Sequence, residues 1–143
     1  VEIGFETSIE GNIDFDGMIS RLKEIDGKKV TAGLFGGFAQ KKAMWQEYGT
    51  SRGIPSRPFL RNTLYQKSAS WSAFVGPKIV ALLEGGGANF MPELGKKMVD
   101  DIHATIDGGG FAPLAPATIQ RKGSSKPLVD TGGMYGAVSF REE

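Results

Sequence analysis

The chain has 143 residues, a net charge of +1 and no cysteine, which makes one domain the expectation, with about two-thirds of its unfolded surface buried. A charge so near neutral gives no global field to drive it onto DNA or an anionic membrane, so an electrostatic partner must be met by a local patch. Disulfides, thiol chemistry and thiolate-held metal are excluded, no apolar run reaches membrane-spanning length, and no basic region followed by an apolar stretch opens the sequence; a soluble chain, unexported by its own signals and assembled in a reducing cytoplasm, is the expectation.

Val1, Ile3, Phe5, Thr7 and Ile9 alternate with Glu2, Gly4, Glu6 and Ser8, the period of a half-buried strand. Phe15, Met18, Ile19, Leu22 and Ile25 then fall at helical spacing, with Asp14 as N-cap and Gly27 past the end. Val30, Ala32 and Leu34 predict a second strand, closed by Gly36-Gly37. A short helix is expected over 41–48, with Ala43, Met44 and Tyr48 as its apolar side and Gly49 as its C-terminal cap. Trp45 lies off that stripe, either partly buried against a neighbouring element or serving as a subunit-contact anchor. Residues 51–58 read as an extended loop, because Pro55 and Pro58 disfavour helical geometry at Ile54 and Arg57.

The next helix covers 59–84, with a kink or break expected at Gly76-Pro77. Gly85-Gly86-Gly87 separates it from another helix over 89–107, which carries Leu94, Met98, Val99, Ile102 and Ile106 on one face. Asn89 could cap this helix, and the short connection predicts antiparallel packing of the pair. Residues 110–133 are too rich in Pro and Gly for one helix or strand, yet Phe111, Leu114, Ile119, Leu128 and Val129 recur as anchors. That pattern predicts a long ordered loop, stiffened by Pro113, Pro116 and Pro127 and presenting Arg121, Lys122 and Lys126 outward. Ala137 to Phe140 supplies a closing strand, which must pair with an N-terminal one. The fold class is α+β: a small antiparallel sheet with strands from both termini, packed with two long antiparallel helices and completed by the long ordered C-terminal loop.

No constellation for catalysis stands out. His103 is the single histidine; Asp100 and Asp107 share its helix face, but without a second His or Cys they read as solvated acids. Ser124 and Ser125 lack a Gly-x-Ser-x-Gly elbow, Asp100-Asp101 reads as solvated surface, and Gly95-Lys96-Lys97 lacks the hydroxyl residue of a phosphate loop. No cofactor and no metal are expected. Basic residues cluster twice, as Arg52, Arg57 and Arg61 and as Arg121, Lys122 and Lys126. These are either solvated loop charge or contacts to acidic partner subunits or phosphates. Phe59 and Leu60, between Pro58 and Arg61, read as core first and as interface second.

Two segments carry a family resemblance. Glu47-Tyr48-Gly49-Thr50 followed by Ile54-Pro55-Ser56-Arg57-Pro58-Phe59-Leu60-Arg61 is one, and the run from Pro113 through Thr118, Arg121, Lys122 and Lys126 to Asp130-Thr131-Gly132 is the other. In this order, with a helical region between them, they resemble the tail-completion (neck, or virion-morphogenesis) proteins of tailed bacteriophages. The likeness covers about 43–60 and 111–132. Where that family often has a basic residue and a leucine after Asp-Thr-Gly, this chain has Gly133-Met134-Tyr135, so no role of that basic position carries over.

The resemblance implies a non-enzymatic virion protein that completes the tail or joins it to the head. It would be a ring subunit, hexameric by family likeness, meeting connector, tail-terminator and tail-tube proteins, with a passing contact to packaged DNA and none to membrane. The expected form is one α+β domain over 1–143 whose protruding loops, 51–61 and 110–133, make the contacts. Trp45, Arg57, Phe59, Arg61, Thr118, Arg121, Lys122, Lys126, Asp130 and Thr131 are the expected partner-binding residues. The competing readings are a DNA-binding module that uses the basic loops, or a terminator or connector layer of the same neck. Localisation follows as the virion neck or tail, after assembly in the bacterial cytoplasm.

Overall fold

A computed structural model of the chain describes residues 1–5, 16–85, 89–111 and 133–143. Its sheet is built from β1 (Glu2–Gly4), β2 (Lys29–Gly33) and β3 (Ser139–Glu142), all antiparallel, with β2 in the centre. Strands from the two ends of the described chain therefore meet on β2, as the alternation predicts. Ile3 lies opposite Val30, and Ala32 opposite Phe140. These residues face inward, while Glu2, Lys29 and Glu143 form ion pairs on the other side. Phe5 extends the pairing past β1 through its bonds with Lys28 and Gly27, and it is buried edge-on against Phe90. Residues 6–9 and the Asp14 cap lie outside the described residues. β3 begins two residues later than the apolar run suggests, because Met134 and Val138 turn into the core on the short helix α5 (Gly133–Gly136) and the turn after it.

The remaining helices are α1 (Asp16–Ile25), α2 (Gly37–Tyr48), α3 (Phe59–Leu83) and α4 (Met91–Gly108). α4 lies directly on the sheet and buries Met91, Leu94, Met98, Ile102 and Ile106. Gly95 allows that approach: a Cβ there would stand 2.1 Å from the Phe140 ring. Phe90, not Asn89, stands at the N-cap of α4 and makes no side-chain cap bond; Asn89, one residue earlier, accepts the Met91 N–H through its side-chain oxygen at 3.1 Å. α3 packs on the outer side of α4. Thr63 meets Thr105, Trp71 meets Asp101 and Lys78 meets Glu93; one partner's number rises as the other's falls, so the two helices run antiparallel.

Asp101 is not the solvated acid its sequence context suggests. The indole N–H of fully buried Trp71 donates to it at 2.7 Å, and an indole donor left unpaired there would cost about 1–3 kcal/mol. Of the kink or break expected at Gly76-Pro77, the break is absent, since α3 runs on through Pro77. Proline removes one helical bond of many, and Trp71 and Val75 hold the adjoining turns in the core. At its far end Arg21 of α1 donates to the Leu83 carbonyl at 2.8 Å, placing a cation at the negative end of α3.

Candidate functional site

The segment from α2 to the start of α3 holds the first of the two family-like motifs. Pro58 stands at the N-cap of α3 and has no side chain able to cap it. Glu47, one residue from the end of α2, does so from another helix. Its carboxylate accepts the Leu60 N–H and the Arg61 N–H, both at 2.9 Å. These are the second and third amides of the helix, the ones a local cap would serve. The Phe59 N–H goes to the Arg57 carbonyl, and the Asn62 N–H to that of Pro58. All four donors at the helix start are thereby satisfied.

The other half of the arrangement closes the end of α2. Arg61 donates through Nε to the Glu47 carboxylate at 2.9 Å and through Nη2 to the Glu47 carbonyl at 2.6 Å. Ser56 Oγ donates to the same carbonyl, while the Arg57 guanidinium reaches the Gln46 side chain at 2.8 Å. An anion thus sits at the positive end of α3 and two cations at the negative end of α2, which the helix dipoles favour. Gly49 makes the turn between them: its φ is +74°, and a Cβ would lie 2.8 Å from the Ile54 carbonyl oxygen. Only glycine fits on both counts.

This geometry corrects part of the expected contact surface. Arg57 is 3% exposed and Phe59 0%, so both are spent inside the monomer. Phe59 to Arg61 belong to α3, which shortens the loop expected over 51–61. The basic group of Arg52, Arg57 and Arg61 shrinks likewise, since Arg57 is buried and Arg61 is paired with Glu47. Burial also pulls the Arg57 guanidinium below its usual pKa, although arginine stays charged at any working pH. Thr118, Arg121, Lys122, Lys126, Asp130 and Thr131 lie outside the described residues.

Trp45 is at the surface, edge-on to Phe38 of its own helix with centroids 5.9 Å apart. The apolar side expected for α2 is corrected too. Ala43 and Glu47 point inward, whereas Phe38, Met44, Trp45 and Tyr48 are between 41% and 65% exposed. Hydrophobicity alone misassigned this helix because its inward position at the α3 end is taken by a carboxylate with a capping role. The available signal was Pro58, a cap position that must find its acceptor elsewhere. Met44 and Tyr48 border a groove of about 420 Å³ between α2 and α3, floored by Leu34, Ala43, Leu60 and Leu64. The Arg61 guanidinium covers the Tyr48 ring at 4.7 Å.

His103 holds structure together. Its Nε2 lies 2.9 Å from the Tyr135 carbonyl, which can only accept, so that nitrogen carries the proton. The two rings stack at 4.1 Å, and the Tyr135 hydroxyl donates to Asp107 at 2.9 Å. That bond, then slight burial and the negative charges of Asp107 and Asp100, raises the Tyr135 pKa above the usual phenol value. Among the described residues no three His, Cys, Asp or Glu side chains gather as metal ligands, and no helix is long and apolar enough to cross a membrane. No protein-family model, no curated protein and no solved structure matches this chain.

Proposed function

We propose that the chain is a structural subunit of a tailed-phage neck, acting in tail completion or head–tail joining as one member of a ring. What supports this reading is the pair of long motifs, 47–61 and 113–132, which resemble that family's segments and stand in the same order with a helical region between them. The helix-end latch gives the first motif a physical purpose. It fixes α2 against α3 and so holds the aromatic face of α2 rigid, as a docking surface requires to limit the entropy lost on binding. Partners on this reading are further copies of the chain and the adjoining connector, terminator and tail-tube proteins, in the virion.

The test is a phage whose copy of this chain carries Arg121→Glu and Lys122→Glu. The expected outcome is a folded protein and a block in tail or head–tail assembly, seen as separated heads and tails by electron microscopy. A normal yield of infectious particles refutes the reading. A DNA-binding module is the second candidate, resting on the basic residues at 121–126. Steeply salt-dependent DNA affinity of the isolated protein favours it, and no binding at low salt removes it.

A further inference from the structure

Among the described residues two unlike surfaces are apolar and exposed. The first is the outer face of α2, where Phe38, Met44, Trp45 and Tyr48 fall within about 120° of arc at helical spacing. At roughly 200 Å² for each full side chain, their exposed fractions amount to about 450 Å². That is more than half of the roughly 800 Å² that each partner contributes to a standard interface.

The second surface is the outer face of α3. Tyr65, Ala69, Ala73, Gly76 and Val80 recur every three or four residues and all are exposed. The stripe is about 22 Å long and uncharged, and it runs from one turn after Arg61, which is paired with Glu47, to exposed Glu84. A helix that is apolar on both sides is one covered on both sides, and among the described elements α4 covers the inner one. Pro77 adds an anchor, because it has no N–H to give the Ala73 carbonyl four residues earlier.

We infer that the aromatic face of α2 docks head to tail on the uncharged outer face of α3 in a second copy of this chain. The shapes are complementary, with large protruding rings on one side and, on the other, the small side chains of Ala69, Ala73 and Gly76 lying between exposed Tyr65 and Val80. Charge argues against each face binding itself by two-fold symmetry at α2: Lys41 lies inside the aromatic arc and would meet its own copy, whereas the α3 stripe offers no cation and ends in a carboxylate. An interface between two different surfaces is the kind that closes rings. The inference deepens the ring-subunit reading and rests on it for the closed geometry.

The absence of native cysteine permits a direct test. Copies bearing Lys41→Cys are mixed with copies bearing Ala73→Cys under mild oxidation. Mixed disulfide dimers in at least tenfold excess over either self-dimer are expected, together with a wild-type oligomer by light scattering. The double variant Phe38→Ser/Trp45→Ser should be monomeric with an unchanged circular dichroism spectrum, and Ala73→Arg should give the same result. A monomeric wild type, or 41–41 or 73–73 dimers that match the mixed species, overturns the interface. Detection of the chain in purified virions separates the two claims. Found in virions without the 41–73 cross-link, it refutes this interface alone; cross-linking as expected but missing from virions, it supports the interface and refutes the neck reading.

Discussion

Removing the Glu47 carboxylate is the sharpest probe of the latch. Glu47→Ala deletes the acceptor of the Leu60 and Arg61 amides and of Arg61 Nε in one step. Loss of a helix cap costs about 1 kcal/mol, and removing a carboxylate that is itself only 3% exposed leaves the Leu60 and Arg61 amides unpaired at a partly buried helix start, which adds about 1–3 kcal/mol. The Arg61 side chain is 43% exposed and can turn to water, so the broken ion pair adds little more. The expected total is about 3 kcal/mol, which for a chain of this length lowers the melting temperature by roughly 10 °C. Arg61→Ala should cost only about 1 kcal/mol, because the carboxylate keeps both backbone amides. Urea denaturation of the two variants measures the difference. If Arg61→Ala destabilises as much as Glu47→Ala, the carboxylate is chiefly an ion-pair partner and the capping account is wrong.

Gly95→Ala tests the seat of α4 on the sheet: helix propensity favours alanine by about 1 kcal/mol, but a Cβ 2.1 Å from Phe140 should reverse the sign and cost about 1–3 kcal/mol net. Recovery of stability on adding Phe140→Leu is expected in thermal melts, and a stabilising single variant contradicts the packing described. For Tyr135, the folded state holds the phenol proton more tightly than the unfolded chain does. Its contribution to stability is therefore complete below the ordinary phenol pKa of about 10 and lost as pH rises through the higher folded value. Phenolate absorbance that appears above the ordinary range should vanish in Tyr135→Phe and move to lower pH in Asp107→Asn; an unaltered titration in both variants rules out the bond as its cause.

Much of the fold was legible from local pattern. The alternation at Val1, Ile3 and Phe5, the same period at Val30 and Ala32, and the helical spacing from Leu94 to Ile106 each dictate which face is buried, because strands and helices have fixed periods. Those faces, with strands at both ends of the chain and a short Gly-rich connection between the long helices, imply a small antiparallel sheet under antiparallel helices. Local pattern could not assign Glu47, Asp101 or Arg57. An acid in a helix reads as solvated until another element brings it unpaired donors, and here the α3 amides and the Trp71 indole do so from 13 and 30 residues away. The same spatial fact turned α2 over. Once Glu47 was needed inside to cap α3, the rings of Phe38, Trp45 and Tyr48 were left facing outward. The chain's own residues thus determined which segments form helices and strands, through periodicity and turn chemistry. Only the tertiary structure decided which charges are buried and which aromatics are free, because burial of a charge depends on partners distant in sequence.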